Sequence, residues 1–173
     1  MHILILGVPG TGKSYLTGKM NKKGINAVDA SCFTKLVDSK GRKATYDPNA
    51  EMAQWSTHYQ VVDKRSLNKL LERKKTAYFF CFYAYGQPGK RNGIFDVLDL
   101  FDKIYYLNAP KKVIADRVKN RSKNRPTRFG KNPEELKMVF DMKKKLDKRA
   151  KALGFQFVDT TLPAEKIIKI ITS

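Results

Sequence analysis

The chain has 173 residues, 42% of them apolar and 29% charged, the balance of one folded domain rather than of a disordered segment. Its net charge of +19 excludes an acidic or neutral surface and favours polyanions and nucleotides as partners. Two cysteines without metal-ligand or redox spacing argue against a disulfide scaffold and for a reducing compartment. No basic segment precedes the apolar start, and no apolar stretch approaches the roughly 20 residues of a bilayer span. The expectation is a soluble, cytoplasmic protein, apart from membranes and most simply a monomer.

His2 to Leu6 is an uninterrupted apolar run ending at glycines, the pattern of a buried parallel strand. Lys13 to Lys22 predicts a helix ending near Gly24. Ile25 to Val28 predicts a short second strand. Residues 30 to 60 carry no clear period, with turns expected at Ser39-Lys40-Gly41 and Asp47-Pro48. Asp63 suits an N-cap for a helix that presents Leu67, Leu70 and Leu71. Ala77 to Tyr85 is aromatic-rich and is expected to be the central strand.

Lys103 to Leu107 predicts a fourth strand. Pro110 fits the first turn of a helix presenting Val113, Ile114 and Val118. Asn132-Pro133-Glu134-Glu135 is a helix start, with an Asn cap, Pro at the first position and Glu at the third. Leu136, Val139, Phe140, Leu146, Ala150 and Leu153 then make one apolar stripe, and Gly154 ends the helix. Phe155 to Val158 and Pro163 to Ile171 predict a fifth strand and a closing helix. Strands alternating with helices predict an α/β domain spanning residues 1–173: a five-stranded parallel sheet with helices on both faces.

The chemistry is most legible at Gly7-Val8-Pro9-Gly10-Thr11-Gly12-Lys13-Ser14, a full match to G-x-x-x-x-G-K-[ST] between a strand and a helix. Glycines let such a loop turn its N–H groups inward around phosphates, and the following helix adds its positive end. Gly7, Pro9, Gly10, Thr11, Gly12, Lys13, Ser14 and the adjacent Tyr15 are the expected nucleotide-binding residues. Lys13 is expected on the β- and γ-phosphates and Ser14 on Mg²⁺. ATP and Mg²⁺ are the expected ligands. A GTPase would need a base-reading N-K-x-D motif, which is missing from the sequence.

Together with Val28-Asp29 after the second strand and Asp116-Arg117-Val118-Lys119-Asn120-Arg121, this loop resembles the P-loop kinases of the nucleoside-monophosphate-kinase type, which include adenylate kinase and shikimate kinase. The resemblance covers nearly the whole chain and implies the three-layer P-loop NTPase fold with a short lid, here about residues 121–132. It implies that Arg117 and Arg121, which share a helix face, lie against the adenine and the phosphates. It also implies that Asp29 helps hold the Mg²⁺ shell or orients the acceptor. Ser31 stands where shikimate kinases often carry a second Asp.

The third strand contains no carboxylate, although many P-loop enzymes end that strand with a metal-associated Asp, so more weight falls on Asp29. Arg125 and Arg128 are further lid candidates, balanced against a plain basic helix end. Arg91 is an acceptor-phosphate candidate or a surface arginine, and Trp55, His58 and Tyr59 are stacking or core residues in the acceptor segment, about residues 30–60. Asp159-Thr160-Thr161 is expected beside the adenine through its backbone.

The leading expectation is a phosphotransferase that moves the γ-phosphoryl group of Mg-ATP to a small acceptor, a nucleoside monophosphate or nucleoside. Lys13, Asp29, Arg117 and Arg121 are its expected catalytic residues, and Ser14 and Asp29 its metal residues. Residues 111–151 hold 16 Lys or Arg against 5 Asp or Glu. That excess leaves open an RNA-associated kinase or adenylate-kinase-like ATPase. A non-catalytic ATP-binding module is the third reading.

Overall fold

The computed structural model describes residues 1–45, 57–82, 84–124 and 133–173, without the side chains of 121–124. Among the described residues the strands and longer helices follow one another as β1 (His2–Leu6), α1 (Lys13–Lys22), β2 (Ala27–Asp29), β3 (Thr34–Asp38), β4 (His58–Val62), α2 (Lys64–Arg73), β5 (Ala77–Cys81), β6 (Lys103–Asn108), α3 (Lys111–Asn124), α4 (Pro133–Ala152), β7 (Gln156–Asp159) and α5 (Ala164–Thr172).

Five strands form one sheet in the order β2-β5-β1-β6-β7, and every pair in it is parallel. The alternation of side chains along each strand feeds two cores. Leu4, Leu6, Phe79, Cys81 and Tyr106 point to one, with Leu67 of α2, Ile114 and Val118 of α3, and Val139, Leu146 and Ala150 of α4. Ile3, Ile5, Tyr78, Phe80 and Tyr105 point to the other, with Leu16 and Met20 of α1 and the isoleucines of α5. The result is the expected three-layer α/β sandwich.

Four expectations change. The aromatic strand is not central: β1 is, and β5 lies between it and β2. β5 also stops at Cys81 rather than Tyr85, because the chain turns back there, with the Ala84 carbonyl accepting from Ile94 N–H at 2.7 Å. β2 runs from Ala27 to Asp29, later than expected, since Asn21 holds both the N–H and C=O of Ala27 through its side chain. Leu153 leaves the α4 stripe and is 49% exposed, because the helix ends at Ala152 and Gly154 adopts φ 69°.

The unreadable stretch after residue 30 contains a second sheet. β3 and β4 pair antiparallel, from Thr34 opposite Val62 to Asp38 opposite His58. The expected turn at Ser39-Lys40-Gly41 is present, with Gly41 N–H donating to Asp38 O at 2.9 Å. Asp63 caps α2 as expected, its side chain accepting from Ser66 N–H. The Asp47-Pro48 turn, Trp55, the Asn132 cap and residues 125–132 of the expected lid, with Arg125 and Arg128, lie outside the described residues.

Candidate nucleotide and acceptor sites

Parallel strands deliver all their carboxyl ends to one edge of the sheet, where α/β proteins bind ligands. Leu6 ends β1 opposite Cys81, the last residue of β5. Asp29 ends β2 beside Phe80, and Asn108 ends β6 beside Asp159. The glycine loop leaves this edge from its central strand.

Gly10 and Gly12 take φ values of 87° and 92°, a left-handed backbone that other residues adopt only at a cost. At Gly10 a Cβ would also meet Val118 Cγ2 at 2.9 Å and Ile114 Cγ2 at 3.0 Å, so the loop lies directly on α3. Thr11 ties the turn internally, its hydroxyl donating to Val8 O at 2.8 Å. α1 opens at Gly12 with no side-chain cap and no acid in its first turn, which presents its positive end to an outside anion. Lys13 Nζ donates to Gly7 O at 2.7 Å and Val8 O at 2.9 Å. The ammonium therefore sits within the loop, on carbonyls that phosphate oxygens can replace.

Arg117 comes to this loop from α3. Its guanidinium donates to Thr160 O at 2.6 Å and to Thr160 Oγ1 at 3.1 Å. The Thr160 hydroxyl donates in turn to Asn108 O at 3.1 Å. A buried threonine after β7 thus fixes the arginine, a role the sequence reading did not assign. The loop, Arg117 and Thr160 line one cavity of about 450 Å³ together with the apolar Leu162, Ala164 and Ile167. The lining thus joins phosphate-binding groups to apolar ones, the mixture a nucleotide requires. Tyr15 also lines it and is 61% exposed. Arg121 lies one turn further along α3, in helical backbone; its side chain is outside the described residues.

Asp29 is half-buried, and its Oδ1 accepts from Ser31 N at 3.0 Å and from Ser31 Oγ at 2.9 Å. The serine that replaces the family's second Asp therefore orients the first. Asp29 Oδ2 makes no bond among the described residues. Cys81 senses both sites: burial pushes its thiol up to about 12, partly offset by the Lys13 ammonium and reinforced by the Asp29 carboxylate. Asp29 stands opposite Phe80 and the strand leading into the phosphate loop ends opposite Cys81.

A magnesium ion fits this donor set. Ser14 is exposed, and Asp29 supplies an anionic oxygen; both are hard ligands, and Mg²⁺ takes few protein groups beside phosphates and water. Among the described residues no group of three His, Cys, Asp or Glu forms a site by itself.

A second cavity, about 720 Å³, opens beyond β5. Its walls bring together His58 and Tyr59 of β4, Tyr85 and Lys90 of the following loop, and Asp141, Lys145 and Arg149 of α4. His58 and Tyr59 thus stand where the sequence expects an acceptor. Arg91 does not line this cavity; Lys90 does. The α4 residues were missed, although Asp141, Lys145 and Arg149 recur at four-residue steps, a helical face open to recognition from sequence.

No protein-family model matches the chain, and no curated protein matches its sequence. Solved structures match over nearly its full length. Deoxyadenosine kinase from M. mycoides with bound dATP superposes with a TM-score of 0.57 at 18% identity, covering 99% of this chain and 97% of that one. Shikimate kinase from Acinetobacter baumannii in complex with shikimate gives 0.58 at 19% identity, covering 99% and 92%. A gluconokinase from Sinorhizobium meliloti 1021 gives 0.53 at 15% identity, covering 97% and 87%. The fold is that of the P-loop small-molecule kinases. Among the described residues no helix is long and apolar enough to cross a membrane.

Proposed function

We propose that the whole chain is one kinase domain that transfers the γ-phosphoryl group of ATP to a nucleoside or nucleoside monophosphate. One observation carries this reading: the uncapped start of α1, Lys13 and Arg117 all line a single cavity together with the apolar Leu162, Ala164 and Ile167. The second cavity lies past the same strand edge and draws on the segments about residues 30–60 and 83–95, so it is assigned to the acceptor.

Lys13 moves from the Gly7 and Val8 carbonyls onto the β- and γ-phosphates. Arg117, held by Thr160, is assigned to the base and phosphates, and Arg121 to the same cationic role that the resemblance implies. These groups stabilise charge that spreads over the transferred phosphoryl oxygens. Ser14 and Asp29 would hold Mg²⁺, which would supply further neutralisation of phosphate charge. Asp29, at the carboxyl end of β2, is the group assigned to orient the attacking oxygen. The acceptor oxygen forms the new bond to phosphorus as the bond to the β-bridging oxygen breaks and ADP leaves.

Lys13→Ala tests the assignment. A loss of about 100-fold or more in turnover supports it, as expected for removing a transition-state cation. Full ATP affinity and turnover in that variant would overturn it.

A further inference from the structure

The surplus positive charge is arranged, not scattered. On α4, Lys144, Lys148 and Lys151 are all exposed and fall at steps of four and three residues, one stripe along the helix. Lys145 and Arg149, beside that stripe, enter the wall of the second cavity. On α2, over the same sheet face, the exposed Arg65, Lys69 and Arg73 repeat at four-residue steps. Like charges at this spacing destabilise a helix. Ion pairs among the described residues are made by Lys19, Lys35, Arg42 and Lys143, and by none of these eight. The fold does not neutralise them, so their use is external.

The cavity that Lys145 and Arg149 line has an aromatic wall. Tyr85 is 41% exposed and rests against Phe95, with ring centroids 6.3 Å apart and planes 33° apart. Arg149 backs Phe95, its guanidinium carbon 3.7 Å from the ring centroid. An aromatic face beside a cationic track is how proteins hold single-stranded nucleic acid: bases stack and phosphates follow the charge. Of the two carboxylates in this wall, Asp96 already accepts from Gly93 N–H at 2.8 Å, and Asp141 is outnumbered by Lys90, Lys145 and Arg149.

We propose that the second cavity and the lysine stripe leaving it bind a single-stranded nucleic acid, with one base stacked on Tyr85 and the phosphates following α4. The cavity is the one assigned above to the acceptor, so the inference rests on that reading for its catalytic meaning. It does not rest on it for binding.

The test is fluorescence anisotropy of a labelled oligoadenylate of about 12 nucleotides, within the reach of one such site, titrated against the full chain without ATP. With about three phosphates neutralised, affinity falls about 20-fold between ~50 and ~200 mM salt. Lys144→Glu/Lys148→Glu/Lys151→Glu is expected to lose at least about tenfold in affinity at low salt and most of the salt slope, with ATP affinity unchanged. If that variant does not fold, Lys148→Gln carries the test and lowers the slope by about 0.7. Tyr85→Ala is expected to lose about tenfold with the slope intact, because stacking carries no counterion.

No binding at low salt, or binding that ignores the α4 substitutions, overturns the proposal. A duplex bound as tightly as the single strand also overturns it. The wild-type chain separates the two readings: oligonucleotide binding without ATP turnover on any acceptor defeats the kinase reading alone. ATP turnover without oligonucleotide binding defeats this inference alone.

Discussion

The contact between Gly10 and α3 makes the phosphate loop a structural joint, and two alanine substitutions weigh it. Gly10 and Gly12 share nearly the same backbone, with φ 87° and 92°, so forcing a Cβ into either costs about 1–2 kcal/mol of left-handed strain. They differ in surroundings. At Gly12 a Cβ meets nothing within 4 Å, whereas at Gly10 it meets Val118 Cγ2 at 2.9 Å, Ile114 Cγ2 at 3.0 Å and Ile114 O at 3.2 Å. Overpacking of this kind adds about 1–3 kcal/mol.

Gly12→Ala is therefore expected to cost about 1–2 kcal/mol and Gly10→Ala about 2–5 kcal/mol. For a chain of this length each kcal/mol moves the melting temperature by about 2–4 °C. Urea and thermal denaturation without nucleotide read both values. Adding Val118→Ala to Gly10→Ala relieves the clash, so the double variant is expected to be at least about 0.5 kcal/mol more stable than additivity gives. Equal costs at the two glycines, or strict additivity in the cycle, would refute the packing of the loop on α3.

Three further predictions follow from other contacts. Thr160→Val removes one of the two acceptors of Arg117 and leaves the backbone carbonyl; ATP affinity by calorimetry is expected to fall about tenfold, the value of one hydrogen bond to a charged group, while Arg117→Ala makes the substitution at residue 160 silent. Lys143 is nearly buried and pairs with Asp147 at 2.9 Å, while Asp147 also accepts from the Tyr106 hydroxyl. Lys143→Ala is expected to cost about 2 kcal/mol in urea denaturation, below the range for a fully buried pair because Asp147 is a third exposed, and Lys143→Met/Asp147→Leu to recover most of it. Cys81 is buried, with its thiol raised from 9.0 to about 12. Its contribution to stability is complete below pH 9 and lost as pH rises toward 12. At pH ~8 iodoacetamide should label only the exposed Cys32, and Cys81 only after unfolding; equal labelling in the folded chain would contradict that environment.

Strand β1, the phosphate loop and α1 were legible because each rests on local rules: an apolar run, a motif with its flanks, a helical period. Asp63 as a cap was legible for the same reason. The place of β5 was not, since a strand buried on both faces looks alike in any interior position of a parallel sheet. β3 and β4 escaped because Thr34, Lys35 and Gln60 stand opposite Val62, Val61 and Leu36 across the pair, so neither strand alternates cleanly between polar and apolar residues. Arg117 was named through the resemblance of Asp116 to Arg121 to the P-loop kinases, and the structure places it on the cavity that the phosphate loop lines. Thr160, 43 residues away from Arg117 in the chain, carries no local mark of its role. The cationic wall of α4 was visible as composition but acquires a function only when the loop carrying Tyr85 is seen folded against it.

The central claim is phosphoryl transfer, and consumption of Mg-ATP across a panel of nucleosides, nucleoside monophosphates and small hydroxylated metabolites tests it most directly, with Lys13→Ala as the control. The structure predicts that a nucleoside or nucleoside monophosphate stimulates consumption and that Lys13→Ala abolishes the stimulation. ATP bound tightly but turned over no faster with any acceptor, or stimulation that survives Lys13→Ala, would contradict it.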